Sequence, residues 1–351
     1  VLQEGYKGIW GADADHLKTY DDIDLMANAG YTMFTFDPSE FVDNSADSTD
    51  MDKIDQKLTM IDWEGLKATQ QTLLPLYLRD SIDLENGISI PCNSDLVKRA
   101  FVKYGNAIAH IYRLYCHLST EHAEKQYEIE ISVDETESVT TPFEHFFFAN
   151  ELKRLGVEFV SLAPHFIGRF EKGIDYIGDL DEFKSVYQKH VAIINYFGTY
   201  KISLHSGSDK FSAYAVIGGI NNAVTHVKTA GTSYLEALRV VASTKPKTFR
   251  SILDFSTEIY EDQKKTYHVS ASVENIKQGS EYSDSELVEL FRDNDVRQIL
   301  HVAFGKVLTD KTEDGNYLFK NEIIDCLKQN EGLHYEFIKN HFVNHLKPFI
   351  Q

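Results

Sequence analysis

Tyr127-Glu-Ile-Glu-Ile-Ser-Val-Asp134 is the stretch whose reading decides how this chain folds. Side chains along a strand alternate between two faces. Here one face carries Glu128, Glu130, Ser132 and Asp134; the other carries Tyr127, Ile129, Ile131 and Val133. The apolar face calls for covering helices, which turns the polar face inward, with Glu130 deep and Asp134 at the carboxyl end. An unpaired buried charge is costly, so carboxylates placed there must pair or hold a metal. The plainer alternative is a half-exposed strand with a solvated acidic face.

Working outward, six more strand-like runs occur at residues 8–13, 31–37, 157–163, 201–205, 224–228 and 267–271. Helical patterns separate most of them. Residues 21–29 end at Gly30, 94–118 carry Leu96, Phe101, Tyr104, Ile108, Ile111 and Leu114 near helical spacing, and 181–197 end at Gly198. Thr141-Pro-Phe-Glu144 and Ser233-Tyr-Leu-Glu236 read as capping boxes. Strands alternating with helices predict a mainly parallel α/β sheet. The expectation is a TIM-like (β/α)8 barrel with seven of its eight strands present, occupying residues 1–308. Residues 42–93 break the rhythm and read as an insertion after the run at 31–37, either a lid or a surface embellishment. Residues 309–351 read as a helical extension packed on the barrel.

The chain has 351 residues, 42% of them hydrophobic, enough for a large core. The formal charge of −19 argues against nucleic-acid binding through phosphates, though a local lysine pocket can still take an anionic substrate. No apolar run reaches the roughly 18 residues of a membrane span. The three cysteines, Cys92, Cys116 and Cys326, are far apart, which speaks against disulfides or a thiolate zinc site and fits a cytoplasmic location. The first residue is Val, and no secretory signal is visible. Homo-oligomerisation is left open.

Three stretches run from apolar residues into an ionisable cluster: Gly8-Ile-Trp-Gly-Ala-Asp-Ala-Asp-His16, Lys201-Ile-Ser-Leu-His-Ser-Gly-Ser-Asp209 and Ala223-Val-Thr-His-Val-Lys-Thr-Ala-Gly231. Barrel enzymes build sites from the ends of different strands. His16, His205 and His226 all fall at predicted strand ends. Taken singly, each histidine is more often a satisfied structural residue; together they suit one divalent cation. Zn, Ni, Mn, Co and Fe are all compatible with imidazole ligands. Asp15 adjoins His16, and a loop past the strand end could aim both at the site; Asp13 is the alternative carboxylate there. The stretch Ala230-Gly-Thr-Ser233 joins a strand to a helix start and offers amides to an anion. Lys228 could pair with a substrate carboxylate or form an internal salt bridge. Candidate substrate contacts are Asp134, Ser206, Asp209, Lys228, Thr229 and Gly231. His165, Arg169 and Lys172 follow the run at 157–163 and carry a weak signal.

At these residues the chain resembles the bacterial tagaturonate epimerases, which interconvert D-tagaturonate and D-fructuronate in hexuronate catabolism. The stretches that carry the resemblance are Gly11-Ala-Asp-Ala-Asp-His16, Phe34-Thr-Phe-Asp-Pro-Ser39, Ser132-Val-Asp-Glu-Thr-Glu137, Lys172-Gly-Ile-Asp-Tyr176, Ile202-Ser-Leu-His-Ser-Gly-Ser-Asp-Lys-Phe-Ser212, His226-Val-Lys-Thr-Ala-Gly-Thr-Ser-Tyr-Leu-Glu236 and Tyr267-His-Val-Ser270. The resemblance implies a divalent-metal isomerase acting on a small sugar acid. Asp15 would be its proton acceptor, Glu130 its proton donor, and His16 and His205 its metal ligands. His226 is added as third ligand from its strand position. Family members carry a further amino-terminal region with a barrel strand, which this chain is expected to lack.

Overall fold

The computed structural model describes residues 5–198, 200–220, 223–229 and 232–350. Six strands form one parallel sheet: β1 (Asp13–Leu17), β2 (Met33–Phe36), β5 (Glu128–Val133), β6 (Ser161–Pro164), β7 (Lys201–Leu204) and β8 (Thr225–Val227), adjacent in that order. A separate antiparallel hairpin pairs β3 (Ser81–Asp83) with β4 (Ser89–Pro91). The helix α1 (Tyr20–Ala29) connects β1 to β2, and α5 (Pro142–Arg154), α6 (Leu180–Phe197) and α7 (Phe211–Gly218) make the later crossovers. This is the strand–helix alternation of (β/α) barrels; eight sheet strands are not present among the described residues.

Two of the expected strand runs need correction. The run at 8–13 is not the first strand: Ile9 and Trp10 are exposed, and β1 begins only at Asp13. The run at 267–271 is not a strand at all. The N–H groups of Ser270 and Ala271 donate to the side-chain Oε1 of Gln298 at 3.1 and 2.8 Å, so a side chain takes the place of a neighbouring strand.

By contacts the chain divides into two compact units. The first comprises residues 1–167, 185–204 and 222–226; the second comprises 168–184, 205–221 and 227–351.

In the first unit local chemistry sets the helix ends. Thr19 and Asp22 form a capping box on α1, and Gly30 ends it at φ 91°. Thr141 and Glu144 form the box read from sequence on α5. The long helix α4 (Ser94–Glu121) is capped by Asn93 and buries Phe101, Tyr104, Ile108, Ile111 and Leu114. Phe101 meets Tyr77 and Phe147 edge-on at ring separations of 5.7 and 4.6 Å. Each such ring contributes about 1.5–3 kcal/mol by burial. The inserted residues 42–93 supply the short helices α2 (Met51–Leu58) and α3 (Gln70–Leu73) and the β3–β4 hairpin. They are tied down on α4: buried Lys103 reaches Asp47 at 2.9 Å and Glu144 at 2.7 Å.

The second unit is helical. Around α8 (Thr232–Thr244) and α9 (Pro246–Gln263) pack α10 (Asp284–Glu289), α11 (Asn294–Val302), α12 (Phe304–Thr309), α13 (Lys320–Gln329) and α14 (Glu331–Leu346). Leu235, Leu238, Phe249, Ile252, Val296 and Leu300 are fully buried in its core. Because α8 begins at Thr232, Ser233 lies inside the helix and is not its cap. No described helix is long and apolar enough to cross a membrane.

Candidate active site

In the first unit the site begins with an irregular strand. Ala14 pairs with Phe34 and Leu17 with Phe36, so β1 spends three steps where β2 spends two. The extra residue is a bulge, a device that re-aims side chains. His16 takes φ 54°, a left-handed conformation rare for a residue with a Cβ. Its consequence is that Asp15 and His16, which would face opposite ways on a regular strand, become neighbours. Asp15 Oδ1 lies 3.5 Å from His16 Nε2. The sequence reading placed them on a loop past the strand; they sit within it.

Asp37, one residue beyond β2, orients the imidazole. Its carboxylate accepts from His16 Nδ1 at 3.2 Å and from the Ser39 N–H at 2.8 Å, and Lys18 Nζ lies 3.4 Å away. Burial opposes the ionised Asp37, yet His16, Ser39 and Lys18 together hold it well below the usual carboxylate range. Burial likewise opposes the imidazolium of His16, but the Asp37 hydrogen bond and the charges of Asp15, Asp134 and Glu135 raise its pKa. Ligand atoms of His16, Asp37 and Glu135 lie within 4.8 Å of one another. Asp134 is half-buried and accepts from the hydroxyl of Ser132.

Glu130 of β5 is fully buried, as its place on the inward face requires. Neighbouring strands supply its partners. Register sets Thr35 of β2 and Ser161 of β6 beside it. The Ser161 hydroxyl donates to Oε2 at 2.5 Å; the Thr35 hydroxyl lies 3.4 Å from Oε1 and 3.1 Å from Asp13 Oδ1. His226 of β8 places Nδ1 2.8 Å from Glu130 Oε2 and 3.2 Å from Ser203 Oγ. The polar row therefore runs strand to strand through hydrogen bonds, and the alternative of a solvated acidic face is excluded for Glu130.

His16, Asp37 and Glu135 offer a donor set that fits a divalent cation; among the described residues His226 joins no such group, and its Nδ1 lies on Glu130. Metal-binding histidines characteristically give their second ring N–H to a carboxylate, which fixes the tautomer and leaves the other nitrogen as ligand. Asp37 does this for His16 and Glu130 for His226. The donor set of imidazole and carboxylate suits the same metals read from sequence.

In the second unit, His205 follows directly on Leu204 of β7 and is buried. The loop beyond it is strained: Ser206 takes φ 49° and Asp209 φ 63°. Gly207 N–H donates to the Lys228 carbonyl at 3.0 Å. Asp209 is buried, its carboxylate 2.9 Å from Arg297 and its N–H donating to His345 Nε2 at 3.0 Å. Lys210 is buried with its ammonium donating to the carbonyls of Glu171, Ile174 and Ser208 at 2.7, 2.5 and 2.9 Å. Burial pulls its pKa down to about 8. Lys228 is half-buried and Thr229 exposed; Gly231 lies outside the described residues.

Sequence reasoning missed Asp37, Glu135, Thr35 and Ser161 as parts of the site. Asp37 was signalled by its place at a strand end before Pro38. Thr35 and Ser161 follow only from sheet register.

A family model described as tagaturonate epimerase matches residues 1–349. The expected lack of the family's amino-terminal region is not borne out by that match. A curated tagaturonate/fructuronate epimerase from Thermotoga maritima is 39% identical over 346 residues, covering 99% of this chain and 69% of that protein. The native crystal structure of a fructuronate-tagaturonate epimerase from Cohnella laeviribosi matches with a TM-score of 0.92 at 37% identity, covering 99% of this chain and 70% of that one. A form of the same protein with one glycerol bound matches equally.

Proposed function

As the chain belongs to the tagaturonate epimerase family, we propose that it interconverts D-tagaturonate and D-fructuronate with the help of one divalent cation. The observation that carries the reading is the bulge in β1, which makes a half-buried histidine and an exposed carboxylate adjacent on one strand. His16, His205 and His226 would hold the cation. When bound, it supplies Lewis-acid stabilisation of developing negative charge on oxygen.

The two sugars differ at a hydroxyl-bearing carbon β to the ketone. Its hydrogen is not acidified by that ketone, so simple enolisation cannot invert it. Retro-aldol cleavage can. Asp15 takes the proton of the hydroxyl, and the C–O electrons form a carbonyl as the adjacent C–C bond breaks. The electrons of that bond pass to the ketone fragment as an enediolate. The three-carbon aldehyde fragment turns and is re-attacked on its other face, and Glu130 returns a proton to the new alkoxide. Asp134, Ser206, Lys228, Thr229 and Gly231 remain the candidate substrate contacts; Asp209, buried and held by Arg297, is a structural tie instead. The account predicts that a carbonyl trap added during turnover captures the three-carbon aldehyde acid. Loss of hydride to a bound nicotinamide, with the C–C bond intact, would reject cleavage and favour transient oxidation.

A further inference from the structure

The second unit contains one cation that stands apart from its neighbours. Arg297 is taken by Asp209 at 2.9 Å and by the Gly173 carbonyl at 2.6 Å. Lys210 is taken by its three carbonyls, Arg169 by Glu171 at 3.3 Å, and Arg239 by Glu236 at 3.1 Å. Half-buried Lys172 is different: its ammonium donates to the hydroxyl of Ser206 at 2.9 Å, and among the described residues no carboxylate pairs with it.

The backbone around Lys172 is fixed. Its carbonyl accepts from Gln298 Nε2 at 3.3 Å, and the same amide donates to Glu171 Oε2 at 2.9 Å. Gly173, at φ 77°, is clamped through its carbonyl by Arg297. Ser206, the partner hydroxyl, sits in a left-handed turn immediately after His205. Burial, then the charge of Lys172, presses His301 down to about 4, with Asp209 opposing and Arg297 and Lys210 adding to the push. A positioned lysine with a hydroxyl beside it and no internal counter-ion is built to meet an anion from outside, because charge-assisted hydrogen bonds are the strong ones.

We infer that Lys172, steadied by Ser206, binds the carboxylate of the sugar acid and so sets the preference for uronates over neutral ketohexoses. The inference rests on the epimerase reading and deepens it. Lys172 acts in recognition, not in moving protons. Lys228 was the lysine favoured from sequence, so the two are tested side by side.

The test is calorimetric binding of D-tagaturonate and of neutral D-tagatose to the whole chain, with its divalent cation supplied. Comparison is made with Lys172→Gln, Lys172→Arg and Lys228→Gln. Loss of one charged hydrogen-bond partner corresponds to roughly 10–100-fold in affinity. Lys172→Gln is therefore expected to narrow the uronate-over-ketose affinity ratio by that factor, and Lys172→Arg to restore most of it. A general loss of fold would lower both affinities and leave the ratio unchanged, which overturns the inference. Lys228→Gln collapsing the ratio while Lys172→Gln does not overturns it too. Failure of the unsubstituted, metal-loaded chain to turn over either uronate would instead sink the epimerase reading, leaving the binding ratio to judge Lys172 separately.

Discussion

Two clusters in this molecule have almost the same composition and opposite meanings. In the first unit, His16, Asp37 and Glu135 bring ligand atoms within 4.8 Å of one another; in the second, Asp209, His341 and His345 do the same. The second cluster is closed. His345 accepts the Asp209 N–H through Nε2 and donates from Nδ1 to the His341 carbonyl at 2.8 Å, so both ring nitrogens are used. The Asp209 carboxylate is held by Arg297, and His341 Nδ1 lies 3.7 Å from Asp209 and 3.8 Å from Glu236. Every member is buried. The first cluster is partly open to solvent: Glu135 is exposed and His16 half-buried, with Asp37 on its Nδ1 at 3.2 Å and Asp15 3.5 Å from its Nε2. A cluster of histidine and carboxylate is chemistry waiting to act only where the fold leaves it within reach of solvent; elsewhere it is a tie, as where α14 is pinned to the loop after β7.

The contrast is sharpest under mutation. His16→Ala is expected to remove most bound divalent cation and to cut epimerase turnover by about 10²–10³-fold, the range seen when a charge-stabilising group is lost. His345→Ala should leave metal content unchanged. Metal analysis of the purified variants, with both uronates assayed, reads this directly; metal lost from His345→Ala and kept by His16→Ala would reverse the assignment.

Next in size is the stability of the closed tie. Arg297→Met leaves the buried Asp209 carboxylate without its cation, a change that costs about 3–5 kcal/mol. Urea unfolding should show this as a lower midpoint. A variant within about 0.5 kcal/mol of the parent would mean that Asp209 is solvated and the tie does not hold, since surface changes fall in that range.

The smallest of the three effects concerns pH. In the first unit, His145 and His190 are fully buried, Nδ1 to Nδ1 at 2.8 Å, with the Tyr200 hydroxyl 2.9 Å from His145 Nε2. Burial, then the charge of Lys189, pushes His190 down to about 3, and burial beside His190 holds His145 well below its usual value. Both are neutral in the fold but protonate near pH 6.5 when unfolded, so the unfolded chain binds more protons below that pH. Their contribution is complete above pH 6.5 and is lost as pH falls toward about 3. Each should account for on the order of 2 kcal/mol between pH 7 and pH 5. In the second unit, burial holds His301 and His341 at about 4, so the same loss is expected there. Replacing His190 by Leu should flatten the profile of stability against pH; an unchanged slope would place the acid sensitivity elsewhere.

Much of this was legible in the sequence, and the exceptions share a cause. The runs at 127–133, 201–205 and 224–228 stood out because β-branched and aromatic residues alternate with polar ones, and strands lie there. The first strand was misplaced because Ile9 and Trp10 look like strand residues, whereas Asp13–Leu17 is polar for the sake of the site and bulged besides. Local hydrophobicity favours the wrong segment when function has taken over a strand. Tyr267–Ser270 has strand composition, but its neighbours' amides found Gln298, a partner 27 residues on from Ala271. For the site, Glu130 and His226 were visible as inward-facing residues; their contact was not, since it depends on β5 and β8 lying across one sheet. Asp37, Thr35 and Ser161 needed register. Lys172 carried a weak signal because what distinguishes it is the missing counter-ion, and that is a property of the packed unit.

The central claim is that an acid–base group is buried in the row of polar side chains across the sheet, and Glu130→Gln tests it most directly. The substitution keeps the shape and the carbonyl oxygen that can accept from Ser161, while removing the ionisable proton. Following the approach to equilibrium from pure D-fructuronate and from pure D-tagaturonate by NMR at saturating divalent cation, the account predicts about a 10³-fold slower rate in both directions, as for loss of a general acid–base group, with the unfolding midpoint close to the parent's. A variant within tenfold of the parent would contradict it.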